Sequence, residues 1–264
     1  MLKKRLIFTL LYEDGFFVLS RNFSLQKVGD FNWLKDFYDF NSICFSVDEL
    51  IVLDVSRGAR DRVKFSRVLQ DISQSCFMPI AAGGGIRSVE DADLLLKSGA
   101  DKIIVNTALF KNIPFVRQLV SNFGAQCIVA SIDFISLPSG ATNVYIANGS
   151  EATGLSVEQA VTHVQNLDIG EIYLTSITQD GTGRGFDVKT INTVSELARC
   201  PLIASGGAGT FDHIVKVLSL PKVAAVSTAN LFNFMSDNLT EARSFIIKNG
   251  IPLATWPHAR PFVL

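Results

Sequence analysis

The chain has 264 residues, 48% of them hydrophobic, and a formal net charge of −1. That near-neutral balance excludes the basic excess of a nucleic-acid footprint, and no stretch approaches the roughly 18 unbroken apolar residues of a membrane span. The hydrophobic share is enough for one large core, and barrels of about 250 residues are common.

Met1 to Leu11 runs basic and then apolar, as a signal peptide does, but its apolar part is short and no small-residue cleavage site follows. It reads instead as a buried strand, Arg5–Leu11, ended by a turn at Glu13-Asp14-Gly15. A helix near Phe31–Asn41 then precedes a strand at Glu49–Asp54. A helix over Asp61–Gln74 leads to a strand at Pro79–Ala82, and one over Val89–Ser98 to a strand at Lys102–Asn106. The second half continues alike: helix Ile113–Asn122, strand Cys127–Asp133, helix Val157–Leu167, strand Glu171–Ser176, helix Val188–Ala198, strand Pro201–Ser205, helix Phe211–Leu218, strand Ala224–Ser227 and helix Leu239–Asn249. Short β-branched apolar runs alternating with helical periodicity predict parallel strands joined by crossover helices. Eight such units close into a single (β/α)8 barrel spanning 1–264, with an open doubly wound sheet as the alternative. No Pro/Gly/Ser-rich linker divides the chain.

Cys44, Cys76, Cys127 and Cys200 form no CxxC pair, and no histidine stands at metal-ligand spacing from them. They are expected as reduced, mostly buried thiols of a cytoplasmic protein, with no metal and no cofactor. His163, His213 and His258 fall in predicted helices or the tail and carry no catalytic assignment.

The halves resemble each other. Ala82-Gly83-Gly84-Gly85-Ile86 follows strand three and Ser205-Gly206-Gly207-Ala208-Gly209 follows strand seven. One unit later come Asn106-Thr107-Ala108-Leu109-Phe110 and Ala229-Asn230-Leu231-Phe232. A half-barrel repeat accounts for this spacing. Glycine turns after strands let backbone approach a ligand, and barrels favour phosphate at the C-terminal mouth. Two phosphate sites are therefore expected on opposite rims. Between them Asp133, flanked by Ile132 and Phe134, is a candidate general acid or base with a raised pKa. Asp54 is read as structural or functional with equal weight, and Asp180 as a loop-ordering or ligand-facing carboxylate. Arg5, Glu49, Lys102 and Glu171 each open a strand, so they gather at the barrel bottom, either as an inert ion-paired plug or as a gate.

Read in order, Lys4-Arg5-Leu6-Ile7, Asp48 to Asp54, Gly83-Gly84-Gly85-Ile86, Gly99-Ala100-Asp101-Lys102, Asn106-Thr107-Ala108, Ile132-Asp133, Gly170 to Ser176, Asp180-Gly181-Thr182 and Ala204 to Gly209 resemble the cyclase subunit of imidazole glycerol phosphate synthase. The resemblance covers nearly the whole chain. It implies a (β/α)8 barrel that takes ammonia from a glutaminase partner docked at the barrel bottom. With that ammonia the family splits and cyclises a bis-phosphorylated ribulosyl-formimino nucleotide. The resemblance implies that Asp133 is one of two catalytic aspartates. Gly85, Asn106 and Thr107 correspond to one phosphate site, and Asp180, Gly181, Gly207, Ala229 and Asn230 to the other. Arg5, Glu49, Lys102 and Glu171 correspond to the gate over the ammonia tunnel.

One departure bears on the chemistry. The family's second catalytic aspartate ends strand one, where this chain has Leu11, and the following loop has Leu19 in place of a lysine. Position 230 is Asn where the family usually has Ser. Leucine transfers no proton, and losing a positioned acid or base typically costs about 10²–10⁴-fold. The pattern resembles a paralogous branch that serves surface-polysaccharide synthesis. With a glutaminase-like partner and a separate amidotransferase, that branch helps convert an acetamido group on a nucleotide-linked sugar to an acetamidino group. The alternatives are a histidine-pathway cyclase and a non-catalytic scaffold that activates a glutaminase. The proline-containing tail Ile251–Leu264 is expected to dock on the barrel or on a partner.

Overall fold

In the computed structural model, residues 3–38, 40–229 and 238–255 are described. The strands are β1 (Arg5–Glu13), β2 (Phe16–Arg21), β3 (Ser24–Gly29), β4 (Glu49–Asp54), β5 (Ile80–Gly83), β6 (Lys102–Val105), β7 (Ile128–Ser136), β8 (Thr142–Ile146), β9 (Glu151–Ala152), β10 (Glu171–Ser176), β11 (Leu202–Ser205) and β12 (Val223–Thr228). The helices are α1 (Phe31–Phe37), α2 (Phe40–Ile43), α3 (Arg62–Ser75), α4 (Val89–Lys97), α5 (Ala108–Lys111), α6 (Ile113–Phe123), α7 (Val157–Gln165), α8 (Val188–Leu197), α9 (Phe211–Leu218) and α10 (Asn238–Lys248).

Eight strands pair in parallel in the order β1-β4-β5-β6-β7-β10-β11-β12, and β12 pairs back onto β1, closing an α/β barrel of the TIM type. The expected eight strands are these eight, each within a residue or three of its predicted ends. Helix starts are set by local chemistry. Asp30, Asp61, Ser88, Asn112, Ser156, Asp187 and Thr210 each accept a hydrogen bond from the backbone amide three residues on. Each satisfies an amide the first turn leaves open, and each fixes the length of the loop at the mouth. Asp61, predicted inside a helix, is the cap of α3.

Strict alternation does not hold. The Asp14-Gly15 turn, with φ of 50° and 99°, folds β2 back on β1, as a two-residue hairpin loop does, and β3 pairs with β2. A second hairpin, β7–β8, stands over the opposite side of the mouth. The helix predicted over Phe31–Asn41 ends at Phe37, and a separate turn, α2, follows.

The main core lies between barrel and helices. A second core fills the barrel with one side chain from each strand: Ile7, Ile51, Ala81, Ile104, Val129, Tyr173, Ile203 and Ala225. The two ends of the described chain meet at the bottom. The Lys4 amide donates to the Pro252 carbonyl at 2.9 Å, Lys4 bridges Leu253, and Leu253 is buried. Arg243 of α10 forks onto Asp48 with bonds of 3.0 and 2.9 Å and also donates to the Ala254 carbonyl. The first residues of the tail thus dock on the barrel, and the rest lie outside the described residues.

Candidate active site at the barrel mouth

The barrel axis is layered. At the bottom, Arg5 meets Glu49 at 2.6 Å and also Glu171, while Lys102 meets Glu49 at 2.9 Å and Glu171 at 2.8 Å. Each carboxylate takes both cations, so charges alternate around a closed ring. The carboxylates are buried and the cations keep about a fifth of their side-chain surface. Above lies the apolar layer of the inner core, and above that a layer of hydroxyls. There Thr9 bonds Ser227, Tyr173 bonds Ser205 at 3.0 Å, and the Thr175 hydroxyl is buried with no partner among the described residues.

Asp133 sits at the top of this stack on β7. The Asn106 amide donates to its Oδ2 at 3.2 Å and Ser131 to its Oδ1 at 3.4 Å. Burial, reinforced by the nearby Asp180 charge and opposed by the Ser131 hydrogen bond, pushes the carboxyl up to about 7. Such a group exchanges protons near neutrality. In the barrel order β1 faces β7, so Leu11, which lines the same cavity, stands across from Asp133.

The mouth is a cavity of about 730 Å³. It brings together Gly85, Asn106, Thr107, Asp133, Asp180, Ala229 and Leu11. Gly181 and Gly207 do not line it, nor does Leu19, and Asn230 lies outside the described residues. Gly207 is covered from above. The Gly185 amide donates to its carbonyl at 2.8 Å, and a Cβ on Gly207 would stand 2.1 Å from the Gly185 carbonyl oxygen. A Cβ on Gly209 would collide with the Gly183 carbonyl. The glycines of this turn therefore admit the loop after β10.

Asp180 works as a tie. It accepts hydrogen bonds from the Ser20 hydroxyl at 2.5 Å and the Phe23 amide at 3.2 Å, and its backbone carbonyl takes the Asn22 amide. It thereby pins the tip of the β2–β3 hairpin, with Phe23, over the cavity. Asp54 is buried, accepts the Ser56 amide at 2.9 Å and stands 3.6 Å from Arg60. Arg57, Arg60, Arg87 and Lys111 also line the mouth and were not read from sequence. The signal was present in Arg57-Gly58-Ala59-Arg60-Asp61-Arg62, three arginines in six residues directly after a strand, and in Arg87 directly after the glycine turn.

All four cysteines are free thiols, three of them buried. No helix among the described residues is long and apolar enough to cross a membrane. Among the described residues no cluster of three metal-ligating side chains occurs.

Comparison with known proteins agrees with this architecture. The family profile described as "Histidine biosynthesis protein" matches residues 40–236. A protein of Parasynechococcus marenigrum (strain WH8102), provisionally named imidazole glycerol phosphate synthase subunit hisF2, is 45% identical over 259 residues, covering 97% of this chain and 96% of that one. Imidazole glycerol phosphate synthase subunit HisF of Streptococcus mutans serotype c (strain ATCC 700610 / UA159) is 34% identical over 253 residues, covering 95% of this chain and 99% of its own. With a closed barrel, near-complete coverage and a matching profile, the chain belongs to the histidine biosynthesis protein family, that of the HisF barrels.

Proposed function

We propose that this chain is a cytoplasmic, ammonia-using barrel subunit paired with a glutaminase subunit at the barrel bottom, and that its acceptor is not the formimino nucleotide of histidine synthesis. In this reading ammonia enters through the ring of Arg5, Glu49, Lys102 and Glu171, crosses the apolar and hydroxyl layers, and emerges beside Asp133. The acceptor is the acetamido group of a nucleotide-linked sugar destined for surface polysaccharide. A separate amidotransferase condenses the ammonia that the barrel presents with the acetamido carbonyl, whose oxygen leaves as water, to give the acetamidino group. Gly85, Asn106 and Thr107 contribute to holding a phosphorylated ligand at the mouth.

One juxtaposition carries this reading: an unbroken charge ring at the bottom together with Leu11 across the cavity from Asp133. The ammonia-handling end is complete, while the cyclising end has one proton-transferring group where splitting and ring closure call for two. Asp133, near its half-protonation point at neutral pH, still moves a proton to or from nitrogen.

The test is turnover of the bis-phosphorylated formimino nucleotide by the purified chain, with excess ammonium salt at mildly alkaline pH, where free ammonia replaces the partner. The expected kcat lies about 10²–10⁴-fold below that of a true cyclase, and Leu11→Asp raises kcat at saturating substrate. A cyclase-like rate from the unaltered chain would overturn the reading and place the protein in histidine synthesis.

A further inference from the structure

The positive charge of the mouth is gathered on one side. Arg57 and Arg60 follow β4, Arg87 follows β5 and Lys111 ends the short helix after β6. These are three consecutive units of the first half-barrel. Lys111 is already paired with Glu151 at 2.5 Å. The three arginines are different. Arg57 donates to the neutral Phe23 carbonyl. Arg60 stands 3.6 Å from Asp54, and its Nε has no hydrogen-bond partner among the described residues. Arg87 is exposed. Among the described residues no carboxylate hydrogen-bonds any of the three side chains. Arg60 also packs across Gly85, where a Cβ would fall 2.7 Å from its Cδ and Nη1. Arg62 stands behind, donating to the Gly85 carbonyl at 3.0 Å and paired with Asp91.

The start of α4 does not serve an anion here. Its Asp91 amide is taken by Ser88, and Asp91 in turn takes the Arg87 and Ser88 amides. With that helix start closed, the side-chain guanidinium groups are the charged donors left to meet an anion on this rim, beside Gly85, Asn106 and Thr107. Among the described residues the opposite rim has no equivalent. The cavity there is lined by Tyr173, Thr175, Asp180, Ser205 and Ala229, and the loop after β10 sits on the second glycine turn. Among the described residues the cavity lining on that side includes an acid and no cation.

We propose that the mouth holds a diphosphate ester whose two adjacent phosphoryl groups are both gripped by Arg57, Arg60 and Arg87, rather than a ligand with phosphates at opposite ends. Guanidinium forks match paired phosphate oxygens. A diphosphate diester carries two negative charges, as many as the three guanidiniums leave over Asp54. The organic part then crosses the cavity against Leu11, Phe23, Leu25 and Leu53, with Asp133 beneath it. This assignment rests on the mouth being the acceptor site of the proposed function.

Calorimetric titration of the intact chain tests it, with UDP-N-acetylglucosamine, inorganic phosphate and fructose 1,6-bisphosphate as probes. UDP-N-acetylglucosamine is expected to bind at least about tenfold more tightly than the bisphosphate, which should bind no better than inorganic phosphate. Arg60→Gln and Arg87→Gln should each weaken the diphosphate about tenfold, and Arg184→Gln, on the loop after β10, should not change it. Arg87 is exposed, so its variant keeps the fold even if Arg60→Gln does not. A bisphosphate that binds as tightly as the diphosphate, or diphosphate binding indifferent to Arg87, would overturn the proposal. The titration contains neither ammonia nor partner. Its failure therefore removes the diphosphate assignment alone, whereas failure of the ammonia reading appears in turnover.

Discussion

At the scale of the residue, Asp133 has a consequence for stability as well as chemistry. An unfolded aspartate titrates near 4, whereas burial holds the folded carboxyl up to about 7. Between those values the folded chain binds the extra proton, so stability is greatest below the unfolded pKa and is lost as pH rises toward neutrality, levelling above it. Asp133→Asn stays neutral throughout. In urea unfolding at pH 5 and pH 8 the unaltered chain is expected to lose on the order of a few kcal/mol more than the variant between the two conditions. Parallel behaviour of the two would show that this carboxyl does not ionise in a buried place. The sequence made Asp133 legible through its strand end and its apolar neighbours. It did not reveal that Asn106, expected for phosphate, also holds the carboxylate.

At the scale of the element, the charge ring and the covered glycine turn respond to mutation in different ways. Glu171→Gln leaves Arg5 and Lys102 sharing Glu49 alone. Removing one partner of a buried pair costs about 3–5 kcal/mol. With the cations 22% and 20% exposed, a loss near the lower end of that range, read by denaturant midpoint, is expected. At the turn, Gly207 has φ of 110°, and Gly207→Ala drives a Cβ onto the Gly185 carbonyl. The expected result is a loss of at least ~1 kcal/mol together with faster proteolysis of the loop after β10. Unchanged stability and cleavage would mean that the loop does not depend on this contact. The barrel strands were legible because their short β-branched apolar runs alternate with stretches of helical period. The β2–β3 hairpin was not: no residue of β3 is buried and it shows no apolar face, and its turn at Asn22-Phe23 carries no glycine, although Asp14-Gly15 signalled the turn before it, between β1 and β2. Nor could sequence tell whether Gly183, Gly185, Gly207 and Gly209 face a phosphate or one another, since glycine suits either approach.

At the scale of the whole molecule, closure of the barrel accounts for what the alternating pattern predicted, and departures from the pattern concentrate at the mouth. Both hairpins rise there, as do the arginines. Loops on a rigid scaffold carry specificity, and their polar sequences reveal composition but not convergence. The described ends of the chain are a different matter. Lys4, Pro252, Leu253 and Ala254 are stitched together at the bottom of the barrel, while the β7–β8 turn at Leu137, Pro138, Ser139 and Gly140 is exposed. The described backbone therefore nearly closes on itself. A permuted chain, sealed by a short linker between the stitched ends and reopened at Ser139, would keep every barrel strand in register. Its starting point would move from the face of the charge ring to the face of the cavity.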